Sequence, residues 1–217
     1  NGMFFLDGEC PLSYQYYPDS TVWGPMHWGH AVSRDLVRWQ HLPVALEPDS
    51  MGYIFSGGSV VDTANTSGFG SHENPPVVAA FTHHDPEGEK AGRNDFQNQS
   101  IAYSLDRGRS WTKYKGNPVL KNDTGVRDFR DPKIIWHRET EKWVMALAVY
   151  DQVQFYGSPD LKAWTYLSDF GIPGEMEGIA STAITNVRTG QMTAEEALNE
   201  AQALLEEMLA RWDEDKK

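Results

Sequence analysis

Ser33-Arg34-Asp35-Leu36-Val37-Arg38-Trp39 decides the fold, because the pattern returns twice. Ser158-Pro159-Asp160-Leu161-Lys162-Ala163-Trp164 repeats it as Ser-x-Asp-x-x-x-Trp. Ser104-Leu105-Asp106-Arg107-Gly108-Arg109-Ser110-Trp111 carries it with one extra residue. The three copies begin 71 and 54 residues apart. Each follows a short run of strand formers. The residue types predict a tight turn in which Ser and Asp side chains cap backbone amides, and then a strand opening with a buried Trp. Three such units suggest a β-propeller with one turn per blade. Three unrelated hairpins in a β-sandwich are the competing architecture.

The neighbouring sequence continues the β pattern through residue 170. Met3-Phe4-Phe5-Leu6 and Ser13-Tyr14-Gln15-Tyr16-Tyr17 flank Asp7-Gly8, which predicts a hairpin. Further strand runs are Ser59–Val61, Val77–Phe81, Ser100–Tyr103, Ile134–Trp136 and Trp143–Val149, separated by Gly, Pro, Asn and Asp. No amphipathic helix of useful length precedes residue 175.

Residues 171–217 differ in kind. They hold 4 basic and 10 acidic groups, against 15 and 21 in residues 1–170, and one of the eight tryptophans. Gly178–Val187 reads as a short helix ended by Arg188-Thr189-Gly190. Thr193-Ala194-Glu195-Glu196 is a capping box, with Thr193 at the N-cap and Glu196 at N3. Leu198, Ala201, Leu205, Met208 and Trp212 then predict one apolar helix face. The organisation expected is a β domain over 1–170 and a helical tail over 171–217.

Composition excludes several classes. The 217 residues carry a net charge of −12, which argues against nucleic acid as the main partner. The lone Cys10 excludes an internal disulfide framework and a multi-cysteine zinc site. Mean hydropathy is −0.56, and no apolar run approaches the ~18 residues of a membrane span. No phosphate loop or serine nucleophile elbow occurs, His83 and His84 lack metal-site spacing, and no cofactor or metal is expected.

Three segments could do chemistry. Tyr14-Gln15-Tyr16-Tyr17 with Trp23 and His27-Trp28-Gly29-His30 offers aromatic faces and polar donors, the ingredients of a sugar site. Core filling is the competing role for Trp28 and Trp39, and Trp23 is open to either. Asp128-Phe129-Arg130-Asp131-Pro132 sets an Arg beside an Asp on a restricted backbone, which predicts an ionised carboxylate with a lowered pKa. A surface ion pair is the alternative. Gly52-Tyr53-Ile54-Phe55-Ser56-Gly57-Gly58-Ser59 places small residues beside an aromatic, as close ligand approach requires.

Together these motifs resemble glycoside hydrolase family 32, the invertase, levanase and inulinase group. The resemblance runs from Asn1 to about Phe170. It rests on Asn1-Gly2, Tyr14-Gln15-Tyr16, Trp23, Trp28-Gly29-His30-Ala31-Val32-Ser33 with Asp35-Leu36 and Trp39, Phe55-Ser56-Gly57, Gln97-Asn98-Gln99 and Phe129-Arg130-Asp131-Pro132. It implies a five-bladed β-propeller, of which 170 residues supply about three blades. It also implies retaining hydrolysis of β-fructofuranosides by an Asp nucleophile and a Glu acid/base. Asp131, with Arg130 beside it, takes the place of a third carboxylate that holds sugar hydroxyls and stabilises the transition state. Asn1, Gln15, Trp23, Phe55 and Ser56 take positions that line the fructose subsite.

The sequence departs from the family pattern in two places. The nucleophile position falls two residues before Asn1, and no Glu-Cys-Pro acid/base motif follows Arg130-Asp131-Pro132. The chain is therefore expected to be a fragment, inactive or nearly so. A non-catalytic fructoside-binding protein and a chimera without function are the alternatives. Gly190–Leu198 with Ala201-Gln202 is similar to the C-terminal helices of ABC-transporter solute-binding proteins, and a natural oligomerisation helix is the competing reading. Partners expected are fructose-containing oligo- or polysaccharides, and exposed blade edges predict self-association. Compartment cannot be read from the sequence.

Overall fold

The computed structural model describes residues 1–171 and 174–215, with side chains for 1–168 and 178–207. The chain divides into two compact units, Asn1–Asp169 and Phe170–Lys217.

The first unit is all-β, built from three sheets whose strands lie in chain order. The first contains β1 (Cys10–Tyr16), β2 (His27–Ser33) and β3 (Gln40–Leu46). The second contains β4 (Tyr53–Val61), β5 (Val77–His84), β6 (Gln97–Ser104) and β7 (Thr112–Lys113). The third runs β8 (Phe129–His137), β9 (Lys142–Val149), β10 (Gln152–Ser158) and β11 (Thr165–Gly171). The pairings are antiparallel hairpins. A five-residue helix, α1 (Pro86–Lys90), is capped by Asp85 between β5 and β6.

The expected Asp-Gly hairpin is present. Leu6 and Glu9 exchange backbone hydrogen bonds at 3.0 Å, Phe4 N–H donates to Pro11 O at 3.2 Å, and Ser13 N–H donates to Asn1 O at 2.9 Å. Asp7 and Gly8 both have positive φ, 51° and 78°, as a two-residue turn of matching twist demands. The segment ahead of β1 thus runs back along it, hydrogen-bonded but outside the three strands of the first sheet.

All three Ser-x-Asp repeats are turns, joining β2 to β3, β6 to β7 and β10 to β11. Ser33 Oγ accepts from Leu36 N at 2.8 Å, and Asp35 Oδ1 accepts from Arg38 N at 2.7 Å. Ser104 and Asp106 cap Gly108 and Ser110 in the same way, and Asp160 caps Lys162 and Ala163. The residue three after each Ser is left-handed: Leu36, Arg107 and Leu161, with φ between 59° and 64°. The tryptophans correct the expectation of burial. Trp39, Trp111 and Trp164 are half-buried. Each folds its indole N–H back to the carbonyl three residues earlier, at 3.1–3.2 Å. The ring closes the turn it follows.

The core lies between the sheets. β5 is buried along its whole length on both faces, which its sequence Val-Val-Ala-Ala-Phe-Thr-His-His allows by staying apolar or uncharged. Val78 and Ala80 pack with Ile101, Phe129, Met145 and Leu147. On the other side, Ala79 and Phe81 pack with Trp28, Ile54 and Ala102. Trp28 is therefore core, the role its sequence context also allowed. β4 and β8 run side by side, so the second and third sheets meet along them.

The second unit contains α2 (Gly174–Arg188) and α3 (Ala194–Asp215). α2 starts four residues before the predicted Gly178. The capping box forms as read: Thr193 N–H donates to Glu196 Oε2 at 2.9 Å, and Glu196 N–H donates to Thr193 Oγ1 at 3.2 Å. Of the expected apolar face, Ala201 and Leu205 are half-buried, while Leu198 is 68 % exposed and its neighbour Ala197 is buried in its place. The side chains of Met208 and Trp212 lie outside the described residues. Among the described residues, no helix is long and apolar enough to cross a membrane.

Candidate functional site

The expected site positions lie on the segment at Asn1, on β1 and the loop after it, and on β4 and β8, with β4 touching both β1 and β8. Asn1 Oδ1 accepts from Gly57 N at 3.4 Å, tying it to β4. Gln15 stands opposite Trp28 in the β1–β2 ladder, so the two side chains share a face. Trp28 Nε1 donates to Phe55 O at 2.9 Å, bringing that face to β4. Gln15 Nε2 and Oε1 are both buried without a hydrogen-bond partner. A buried amide left unpaired is unusual, because each unmet polar atom costs about 1–3 kcal/mol.

Phe55 forms an aromatic wall. Its ring lies flat on His84, with centroids 4.2 Å apart and planes at 8°, and Trp23 meets its edge at 5.5 Å. Trp23 itself is 68 % exposed, so it is not core. Ser56 follows on β4, half-buried. The glycines after it serve a different purpose from the one expected. A Cβ on Gly57 would sit 1.9 Å from Ala80 O, so this position lets β4 close onto β5 at its bulge rather than admit a ligand. Gly52 is likewise held against His84 O, at φ 121°.

Asp131 enters from β8. The β8–β9 register slips between Arg130 and Lys133, leaving Asp131-Pro132 as a bulge with one residue too many. Pro132 is tolerated there because a bulge leaves its missing N–H unneeded. Asp131 is left-handed, φ 62°, which re-aims its side chain. Its backbone N–H donates to Thr82 Oγ1 at 3.1 Å. Thr82 Oγ1 donates to Gln99 Oε1 at 2.7 Å, and Gln99 Nε2 donates to Phe129 O at 2.7 Å. Gly58 of β4 faces this bulge: a Cβ there would lie 3.6 Å from Pro132 O.

The electrostatics correct the expected sign. Desolvation pushes the Asp131 carboxyl above its ordinary pKa, and the Arg130 charge only partly offsets this. The reason is geometric. Arg130 Nη1 is bonded to Asp128 and lies 3.4 Å from Gln97 Oε1, while Arg130 Nε stands 3.7 Å from Asp131 Oδ2, beyond hydrogen-bonding distance. Asp131 still keeps half of its side-chain surface open. Arg130 serves Asp128 and Gln97 first.

Four residues without a role in the sequence reading hold this site: Thr82, His84, Gln97 and Gln99. Gln97 Oε1 accepts from Phe129 N at 3.0 Å, and Gln97 Nε2 lies 3.4 Å from His84 Nδ1. His84 Nε2 is 3.0 Å from Glu89 Oε2. The signal available in sequence was uncharged amides and a hydroxyl inside otherwise apolar strands, where each must find a partner. Among the described residues, no three His, Cys, Asp or Glu side chains are grouped to hold a metal ion.

Comparison with known proteins bears on this arrangement. The glycosyl hydrolases family 32 N-terminal domain pattern matches residues 1–183, running past the unit boundary into α2. The chain is 57 % identical over 171 residues to a levanase of Bacillus subtilis, covering 79 % of this chain and 24 % of that protein. It is 42 % identical over 202 residues to an invertase of Debaryomyces hansenii, covering 86 % and 36 %. A crystal structure of exo-inulinase from Aspergillus awamori superposes with a TM-score of 0.69 at 38 % identity, over 79 % of this chain and 37 % of that one. The fructofuranosidase from Schwanniomyces occidentalis complexed with fructose gives 0.70 at 38 % identity, over 79 % and 33 %. This chain thus spans between a quarter and two fifths of the length of these relatives.

Proposed function

Because the chain belongs to glycosyl hydrolase family 32, a family of glycoside hydrolases, we propose that its β unit holds the terminal β-fructofuranosyl residue of sucrose or a fructan. The observation that carries this reading is the buried, unpartnered amide of Gln15 on the face that leads to Phe55. A sugar hydroxyl donates to Oε1 and accepts from Nε2, satisfying both atoms at once. Phe55 and Trp23 supply the apolar wall against the furanose ring, and Asn1 and Ser56 flank it. Asp131 accepts from sugar hydroxyls and, once ionised, stabilises positive charge on the ring. Arg130, held by Asp128 and Gln97, fixes the loop that carries it.

In this reading the three sheets are successive blades of a five-bladed propeller, with the segment ahead of β1, β4 and β8 as innermost strands. The 170-residue β domain and the helical tail over 171–217 are separate pieces. Retaining hydrolysis needs two carboxylates about 5–5.5 Å apart across the scissile bond. Asp131 is neither of them, so these 217 residues bind the fructosyl unit without cleaving it by themselves.

Calorimetry with sucrose, inulin and levan, run beside an assay for released fructose, tests this. Saturable binding with no release is expected. Release above background overturns the claim of binding alone, and absence of binding to all three overturns the fructosyl site.

A further inference from the structure

His84 is the residue whose protonation state can be read from its partners. It is 6 % exposed at the end of β5, with Phe55 stacked on one face and Phe96 edge-on at 5.3 Å. Its ring nitrogens meet Gln97 at Nδ1 and Glu89 at Nε2. Gln97 Oε1 faces two groups that can only donate, Phe129 N–H at 3.0 Å and Arg130 Nη1 at 3.4 Å. The amide oxygen is therefore fixed on that side, and the NH₂ group must point at His84 Nδ1, 3.4 Å away. An NH₂ group needs a lone pair to meet, so Nδ1 is unprotonated. The single ring proton then sits on Nε2, where Glu89 Oε2 accepts it at 3.0 Å.

We infer that His84, as the neutral Nε2–H tautomer, is the positioning residue that locks the Gln97 amide and through it the Phe129–Arg130–Asp131 backbone and the Phe55 wall. Adding a proton to Nδ1 sets a donor against the NH₂ of Gln97. Relief requires the amide to turn over, which aims NH₂ at Phe129 N–H and at the Arg130 guanidinium, donor against donor. One proton on one ring thus unseats both sides of the candidate site. The charged groups around the ring are Glu89 on α1, Asp85 beside it, and Arg130 on β8, while Tyr53 on β4 stacks at 6.1 Å. Glu89 is also bonded to Arg127, which shares its charge. Burial holds the His84 pKa below that of an ordinary His, against Glu89 and Asp85 and with Arg130, so the lock is closed at neutral pH.

The lock itself is independent of any sugar. Its effect on ligand rests on the fructosyl reading above. The test is nitrogen NMR on the full chain uniformly labelled with nitrogen-15, with the His84 ring signals identified by their loss in His84→Phe. Expected are an unprotonated Nδ1, a protonated Nε2, and a Phe129 amide shift that follows the His84 titration. A protonated Nδ1 at neutral pH, or a Phe129 amide that ignores that titration, overturns the inference. His84→Phe keeps a ring on Phe55 but offers neither acceptor nor donor, so its Phe129 amide should lose the pH response seen in wild type. A Phe129 amide that still titrates in that variant also overturns it. Gln97→Glu accepts from Phe129 and Arg130 whichever way it turns, and should abolish the pH response.

Acidification past the His84 midpoint should weaken affinity for a fructose-terminated trisaccharide about fivefold more in wild type than in Gln97→Glu, the worth of one hydrogen bond, because any loss from protonating Asp131 is common to both. The inferred tautomer and Phe129 response without sugar binding at any pH support the lock and reject the fructosyl site. Binding intact with Nδ1 protonated rejects the lock alone.

Discussion

The backbone N–H of Asp131 is held by the hydroxyl of Thr82, 3.1 Å away on another sheet. A positive-φ residue in a bulge would otherwise be free to reorient, so this bond fixes where the carboxylate points. Thr82 is fully buried and its hydroxyl also donates to Gln99. Thr82→Val keeps the shape and removes both bonds, leaving the Asp131 N–H and one Gln99 oxygen unmet. A loss of about 2 kcal/mol in urea-unfolding stability is expected, with weaker fructoside binding. Unchanged stability would show that the hydroxyl does not hold the bulge.

Asp131→Asn separates binding from stability. Asn tolerates the left-handed backbone, and burial already opposes the charge on Asp131. The melting temperature should therefore stay level or rise. Fructoside affinity should drop about tenfold, the worth of one charged hydrogen bond. A variant that melts early, or binds as wild type does, contradicts this assignment.

His83 makes the fold acid-sensitive. It is buried, bonded through Nδ1 to Ser100 Oγ at 2.7 Å, with Asp49 Oδ1 3.4 Å from Nε2. Desolvation outweighs Asp49 and lowers its pKa from 6.5 to about 4. Between those values the unfolded chain binds a proton that the native ring refuses. Stability is therefore full above pH 6.5 and is lost as pH falls towards 4, by about 3 kcal/mol from this residue. Urea midpoints at pH 7.5 and 4.5 should differ more in wild type than in His83→Asn. Equal differences would remove His83 from the account.

The repeated turns carry a paired prediction. Leu36 and Leu161 share a left-handed backbone, φ 59° and 64°, but Leu36 is 58 % exposed and Leu161 is fully buried. Leu36→Gly relieves the strain and should be neutral or gain about 0.5 kcal/mol. Leu161→Gly empties a core site and should lose about 3 kcal/mol or more. Matching signs for the two would mean that backbone strain is not what distinguishes them.

Much of this fold was legible because its turns are written in local chemistry. The Ser-x-Asp repeats, the Asp7-Gly8 hairpin and the Thr193–Glu196 capping box each depend on residues within eight positions of one another. Burial was less legible, because it depends on what a distant strand presents. Trp39 reads as a core residue yet folds back on Leu36, and Leu198 gives way to Ala197 once α2 is in place. The site was legible only in its visible half. Phe55, Trp23 and Asp131, like Gln97 and Gln99, belong to motifs that resemblance singles out, but the two amides carried no role there. Thr82, His84, Gln97 and Gln99 act through bonds to residues 13 to 49 positions away, and the sign of the Asp131 shift depended on where Arg130 spent its donors.

The central claim is that residues on β1, β4 and β8 form one fructosyl-holding surface. Backbone NMR during titration with a fructose-terminated trisaccharide tests it most directly. The amides of Gln15, Phe55 and Asp131 should shift together, with one common Kd and no response to a glucose-only trisaccharide. Shifts confined to one strand, or the same shifts with the glucose sugar, would contradict it.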